Sequence, residues 1–298
     1  MFIPGRRIRS TIYISRVRLA ENMVQTLELV PAPPLQDYIR CYNLRQFDTK
    51  GEEMRKAIPA VPGMFLSFWL SAAPVHLVTG DKITPVNVRE RQLLGMQSGY
   101  IGHLAFSGRY QLLGIEFKGG GFHRIFGLPA REITDELLEG DAVLGSRMGQ
   151  LQEQFQAAGS YQELKELADS FFLDALFKNQ TAGDLRIDKV LHHISDAKAP
   201  IDIEWLAEQA NMSLRSFEQK FTEQVGLTPK LYSRILRFNH ALALKIAMPE
   251  KKWTTIAHTC GYYDQMHFIK DFKTFAGSTP NIFLRQLPAP KEEIVVRS

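Results

Sequence analysis

Cysteine is scarce in this chain. Cys41 and Cys260 are the only two among 298 residues, and they form no CxxC pair. That excludes a disulfide framework or a cysteine-rich zinc module and fits a reducing compartment, here the cytoplasm. Cys41 has no cysteine-rich surroundings to mark it as a methyl-accepting or redox thiol, so both cysteines are expected to be packed and inert. Long apolar runs are missing too. Although 45% of residues are hydrophobic, nothing approaches the roughly 18 residues of a membrane span. The histidines of the N-terminal part, His76, His103 and His123, never stand two apart on one strand, and the position two beyond His103 is Ala105. A metal triad is therefore disfavoured. Gly119-Gly120-Gly121 has no following Lys-Ser/Thr and no GxGxxG spacing, so it reads as a turn before a short helix rather than a phosphate cradle. No Ser/His/Asp arrangement stands out. The expectation is a protein without catalytic residues, metal or cofactor.

Acids are nearly absent from the first 22 residues, which hold Arg6, Arg7, Arg9, Arg16 and Arg18 before Glu21. With no apolar core this is not a secretory signal. It is expected to be a disordered basic extension, with Met23 opening the folded part. The net charge of +4 conceals a segregation: residues 23–183 sum to −3 and residues 184–298 to +3. Within residues 213–285, eleven Lys/Arg face five Asp/Glu, a basic surplus of the kind phosphate neutralisation requires.

Short alternating runs follow Pro31–Pro34. Residues 64–70, 75–78, 91–96, 103–106 and 111–117 are predicted as strands between Gly, Pro, Asn and Ser clusters. Such spacing indicates a sandwich or barrel. Phe65, Phe68, Trp69 and Phe106 alternate along strands, so half of them are expected to line its interior, as core rather than as a ligand pocket. From about Leu144 the period becomes helical, with Leu151, Phe155, Leu164, Leu167, Phe171 and Leu176 forming a stripe. Residues 23–178 are thus predicted to form a β-rich sensor or dimerisation domain, 179–184 a linker and 185–286 a helical domain, with 287–298 as a tail.

The helical part contains a pattern twice. Ala207, Ser213, Phe217, Phe221, Gly226, Thr228 and Pro229 are answered by Ala257, Asp264, Phe268, Phe272, Gly277, Thr279 and Pro280. From the first Phe the spacing is identical at an offset of 51, but the second copy carries one extra residue between its Ala and its cap. Ser213 and Asp264 suit helix N-caps, and Gly226 and Gly277 suit left-handed helix ends. Thr-Pro then starts the next helix, with Pro in the first turn. Met212 is predicted to staple Phe217, and Tyr263 to staple Phe268. Each copy is a helix–turn–helix, and two copies predict a grip on two successive major grooves of double-stranded DNA.

At 100° per residue the paired phenylalanines turn inward. Arg215, Ser216, Gln219 and Thr222 then face out from the first reading helix, and Met266, His267, Lys270 and Lys273 from the second. Arg215 suits guanine and Gln219 adenine, Met266 offers only apolar contact as to a thymine methyl, and Lys270 and Lys273 suit phosphate or guanine. Glu218 and Glu223 would repel phosphate and are expected at the edge of the first face. Residues 229–247 are predicted as a strut about 28 Å long, near the ~34 Å between successive groove entries. Of its arginines, Arg234 suits scaffold or phosphate and Arg237 scaffold.

The run SLRSFEQKFTEQVGLTPKLYSRILR followed by IAHTCGYYDQMHFIKDFKTFAGSTP resembles the DNA-binding domain of AraC/XylS-type transcription regulators over residues 185–286. The resemblance implies about seven helices, a bipartite operator, and contact with RNA polymerase in activators. It places base-facing side chains at Arg215, Gln219, Met266 and Lys270, with Gln265 and His267 beside them. Many relatives carry Arg where this chain has Gln219 and Lys270, so no operator sequence carries over. LLGIEFKGGGFHRIFGLPARE is similar to a segment of the β-rich sensor domain of some such regulators, a cupin-like barrel that binds a small effector or mediates dimerisation. The expected fold class is α+β: a cupin-like barrel with flanking helices, then an all-α domain. The expected function is a sequence-specific DNA-binding regulator, with a homodimer, an effector and RNA polymerase as further partners. The competing readings are a metal-dependent cupin enzyme fused to a DNA-binding module, and a constitutive regulator whose N-terminal domain serves only for pairing.

Overall fold

The computed structural model describes residues 25–89, 91–179, 182–195, 202–286 and 293–297. The predicted basic extension, residues 1–22, lies outside them.

The N-terminal half is built on two sheets. Strands β1 (Gln25–Leu29), β2 (Ile39–Asp48), β4 (Gly63–Ala72), β7 (Gln92–Leu94), β9 (Arg109–Lys118) and β10 (Leu137–Glu139) form the larger, in the order β10-β7-β4-β9-β2-β1. Beyond β1, the strand β11 (Glu293–Arg297) pairs in parallel, so part of the predicted tail completes the sheet. The smaller sheet orders β3 (Met54–Ile58), β8 (Gly102–Phe106), β5 (Val75–Thr79) and β6 (Lys82–Val86). The five strands expected from alternation are present as β4, β5, β7, β8 and β9; β1, β2, β3, β6, β10 and β11 went unpredicted.

The large sheet is buried on both faces because its long strands carry apolar residues in both registers. Leu66, Phe68, Leu113 and Ile115 pack into the main core toward the helices, with Phe68 edge-on to Phe155 at 5.0 Å. Between the two sheets lies a second cluster of Phe47, Trp69, Val75, Phe106 and Tyr110. Neighbouring Phe68 and Trp69 serve different cores because successive side chains of a strand point to opposite faces. Of the four aromatics singled out in the sequence, Trp69 and Phe106 fill the space between the sheets, Phe68 packs toward the helices and Phe65 is half-buried.

Short helices α1 (Gly121–Phe126) and α2 (Gly140–Leu144) precede α3 (Arg147–Ala157) and α4 (Tyr161–Lys178). On α4 the buried stripe is Leu164, Ala168, Phe172 and Ala175; Phe171, predicted to be inward, is only partly covered. Asp169, on the same face, accepts hydrogen bonds from Ala32 N, Tyr42 Oη and Lys165 Nζ at 2.7–2.9 Å, tying α4 to the sheet.

Seven helices follow among the described residues: α5 (Leu185–Ser195), α6 (Ile203–Gln209), α7 (Leu214–Val225), α8 (Pro229–Ala247), α9 (Trp253–Thr259), α10 (Gln265–Ala276) and α11 (Pro280–Gln286). Phe217 and Phe221 of α7, and Phe268 and Phe272 of α10, join one contiguous core with the strands and with Ile235 and Phe238 of α8. The glycine triplet is the turn before α1. A side chain at Gly119 would strike the Tyr232 hydroxyl at 2.3 Å, and one at Gly120, where φ is +78°, would strike Leu191 at 2.8 Å. Bare backbone at these positions lets the helical half approach the sheet.

Candidate nucleic-acid interface

Each reading helix starts where a cap is available. Ser213 Oγ accepts from Ser216 N at 3.3 Å to open α7, and Asp264 Oδ1 accepts from His267 N at 2.7 Å to open α10. The carboxylate also complements the positive end of the helix dipole. Both helices stop at glycine in the left-handed region, with φ +93° at Gly226 and +75° at Gly277. Thr228 Oγ1 accepts from Leu231 N, and Pro229 fills the first turn of α8, whose 19 residues match the predicted strut.

The predicted staple of the second copy is corrected. Tyr263 is 94% exposed, and its neighbour Tyr262 takes the buried place, edge-on to Phe268 at 5.1 Å. In the first copy Met212 packs, half-buried, against the core.

Of the nine predicted DNA-facing residues, Arg215, Gln219, Gln265, Met266, Lys270 and Lys273 are exposed on α7 and α10. Ser216, Thr222 and His267 are half-buried. Thr222 donates its hydroxyl proton to Glu218 O at 2.7 Å, so it can only accept from a further donor. His267 lies against Tyr262, with Nε2 3.9 Å from Asp271. Glu218 is exposed and Glu223 half-buried.

Sequence reasoning passed over Asp271, whose side chain is only 1% exposed. Arg234 donates to its Oδ1 at 2.7 Å and Arg237 to its Oδ2 at 3.4 Å. Arg237 also lies 4.3 Å from the centre of the Tyr262 ring. The carboxylate thus ties the second reading helix to the strut, and both strut arginines act as scaffold. A signal was available: an acid three residues after Phe268 and next to Phe272 falls on the inward face.

The C-terminal ends of both reading helices rest on the N-terminal half. Tyr100 N donates to Thr274 O at 3.0 Å and Ala60 N to Phe275 O at 2.8 Å, satisfying last-turn carbonyls of α10 that lack partners within the helix. Thr134 Oγ1 donates to Gly226 O at 2.8 Å at the end of α7. Asn239 Nδ2 of the strut donates to Ala60 O at 2.9 Å. The β-rich half therefore touches both copies of the repeat and the helix between them. Where the predicted linker rejoins the chain, Asp184 N donates to Gln224 Oε1 at 2.7 Å. The Arg186 side chain, bonded to the Asp184 carboxylate, holds that acid well below the usual carboxylate range.

The remaining candidates are structural. Burial pushes the Cys41 thiol up to about 12 and raises that of Cys260, so neither is a ready nucleophile. His103 Nδ1 is 2.7 Å from the Tyr100 hydroxyl and His123 Nδ1 2.7 Å from Leu128 O. Among the described residues no three His, Cys, Asp or Glu side chains gather as a metal site, and no helix is long and apolar enough to cross a membrane.

Comparison with known proteins places matches on each half separately. Residues 206–286 match a family described as a helix-turn-helix domain, and residues 27–139 match a domain of unknown function. The HTH-type transcriptional activator RhaS of Pectobacterium atrosepticum is 30% identical over 87 residues, 28% of this chain and 31% of that protein. RhaS of Escherichia coli strain SE11 is 34% identical over 101 residues, 33% of this chain and 36% of that protein. The chain thus spans about a third of the length of these relatives. Among solved structures, ToxT from Vibrio cholerae O395 aligns over 84% of this chain and 98% of its own, at 14% identity and a TM-score of 0.46.

Proposed function

We propose, from the membership of residues 206–286 in the AraC-type helix–turn–helix family, that this protein is a cytoplasmic transcription regulator reading a bipartite DNA site. The supporting observation is the repeat itself: two capped helices of equal length, each with its phenylalanines inward and its first turn largely exposed. In this reading Arg215 and Gln219 address base edges in one major groove, and Met266 and Lys270 those in the next. Gln265 and Lys273 hold the flanks, with Ser216, Thr222 and His267 at the margins. The strut, anchored through Asp271, sets the separation.

Control by the N-terminal domain operates through the three contacts to α7 and α10. Because Tyr100, Ala60 and Thr134 bind the ends of the reading helices away from the exposed first turns, any shift of the β-rich half alters their relative setting. An effector, a homodimer contact, or engagement of RNA polymerase would act on DNA through that linkage. The aromatic cluster filling the space between the sheets favours a second version, in which the N-terminal half pairs or braces without a ligand.

Selection of DNA from a random library at fixed salt tests the reading, repeated with Arg215→Ala and Lys270→Ala. Two motifs about one helical turn apart are expected, each losing preference in its own variant. A single motif indifferent to Lys270→Ala would overturn reading by α10.

A further inference from the structure

The turns of the two copies bond alike apart from one residue. After Ala207 and Ala257 the turns run in parallel: Asn211 and Gly261 both take positive φ, +50° and +72°. Met212 N and Tyr262 N then bond back to Ala207 O and Ala257 O, each at 3.0 Å. In the first copy the cap Ser213 follows at once. In the second, Tyr263 intervenes before Asp264, and from the cap onward the copies agree again. Tyr263 is therefore the extra residue of the second copy.

Its position follows from being pinned on both sides. Tyr262 is locked into the core against Phe268, and Asp264 is locked to the amide of His267. The cap absorbs the insertion by extending, with φ −145° and ψ 170° against −64° and 150° at Ser213. The inserted side chain has no way in and stands in solvent, 94% exposed. Met266, 75% exposed, lies three residues on, and α10 has no acid in its first turn. Helix–turn–helix proteins present this N-terminal end of the reading helix to base edges.

Resting on the DNA-reading assignment above, we propose that Tyr263 is a DNA-contacting and specificity-determining residue. Its ring, beside Met266, packs on a thymine methyl and the adjoining sugar in the second major groove. An aromatic face and a thioether recognise a methyl group and deoxyribose, and neither responds to a guanine edge. The insertion would thereby give the second half-site an apolar preference that the first copy has no residue to supply.

The test uses the full chain and the operator recovered by selection, with affinity followed by fluorescence anisotropy at several salt concentrations. Tyr263→Ala is expected to weaken operator binding about tenfold, the scale of one mismatched base pair, with Tyr263→Phe close to the parent. Its salt dependence should be unchanged, because no phosphate contact is lost. Replacing second-half thymines one at a time by deoxyuridine should reveal one position that costs the parent affinity and leaves Tyr263→Ala unaffected. The proposal is overturned if Tyr263→Ala matches the parent across that series while Lys270→Ala still abolishes second-half preference. It is also overturned if the loss is equal on random DNA. Failure of the parent to select any second motif would instead remove the underlying reading, and this proposal with it. Because the ring is exposed, an unchanged unfolding midpoint separates a lost contact from a lost fold.

Discussion

At the residue scale, Asp271 concentrates more consequence than any side chain that faces outward. It is a buried carboxylate whose partners, Arg234 and Arg237, are themselves partly covered. Removing it leaves two guanidinium groups with no counter-charge against the strut, a costly kind of change. Asp271→Ala is expected to lower stability by about 3 kcal/mol in urea unfolding and to weaken second-half binding while the first-half preference survives. Unchanged unfolding would mean that water replaces the carboxylate and that the tie is dispensable. The site was half legible at this scale. Periodicity turned the phenylalanines inward and Arg215, Gln219 and Lys270 outward, because burial follows the helical repeat. It assigned the staple to Tyr263 where the structure uses Tyr262, since two adjacent tyrosines carry the same apolar signal and the outcome depends on which one the turn pins.

At the element scale, each reading helix ends at a glycine that serves two purposes. Gly277 takes a φ of +75°, and a Cβ there would come within 2.4 Å of the Tyr100 ring. The cost of Gly277→Ala should therefore divide into backbone strain, about 1 kcal/mol, and a clash between domains. We expect Tyr100→Ala to relieve the clash, so that the double variant is more stable than the two single losses predict when added. Gly51→Ala serves as the reference, with φ +88° and nothing within 4 Å, and should show backbone strain alone. Strict additivity between Tyr100 and Gly277 in thermal unfolding would contradict the contact. Helix ends were readable because capping chemistry is local. Strand β2, ten residues long, was not, because a register shift between Ile39 and Cys41 sets apolar Cys41 and Tyr42 side by side and polar Arg45 and Gln46 follow, breaking the alternation that marks a half-buried strand.

At the scale of the whole molecule, the two halves share a core, and the join between them carries an electrostatic cost. Asp188 on α5 is pushed up by burial, which outweighs the attraction of Arg124, His192 and His123. Below the ordinary carboxylate value of 3.8 the folded and unfolded states both hold the proton and no penalty exists. As pH rises past that value the unfolded chain releases its proton first, so stability falls until the folded carboxyl also ionises. Asp188→Asn should consequently be more stable than the parent at pH 7, with the advantage vanishing in acid. Equal denaturation midpoints for the two proteins at pH 7 would show that Arg124 fully compensates the burial.

What the sequence determined by itself is whatever rests on local rules. It specified the duplicated helix–turn–helix, its caps, the strut at residues 229–247 and the succession of a β-rich half by a helical one. Those features come from side-chain periodicity and turn chemistry within a dozen residues. Only the tertiary structure decided the pairing of β1 with β11, the burial of Asp271 between two arginines, and the placement of Tyr100, Ala60 and Thr134 on the ends of the reading helices. Each of these joins residues far apart in the chain, some through backbone groups whose identity no side chain advertises. Which carbonyl meets which amide is settled by packing of the whole core.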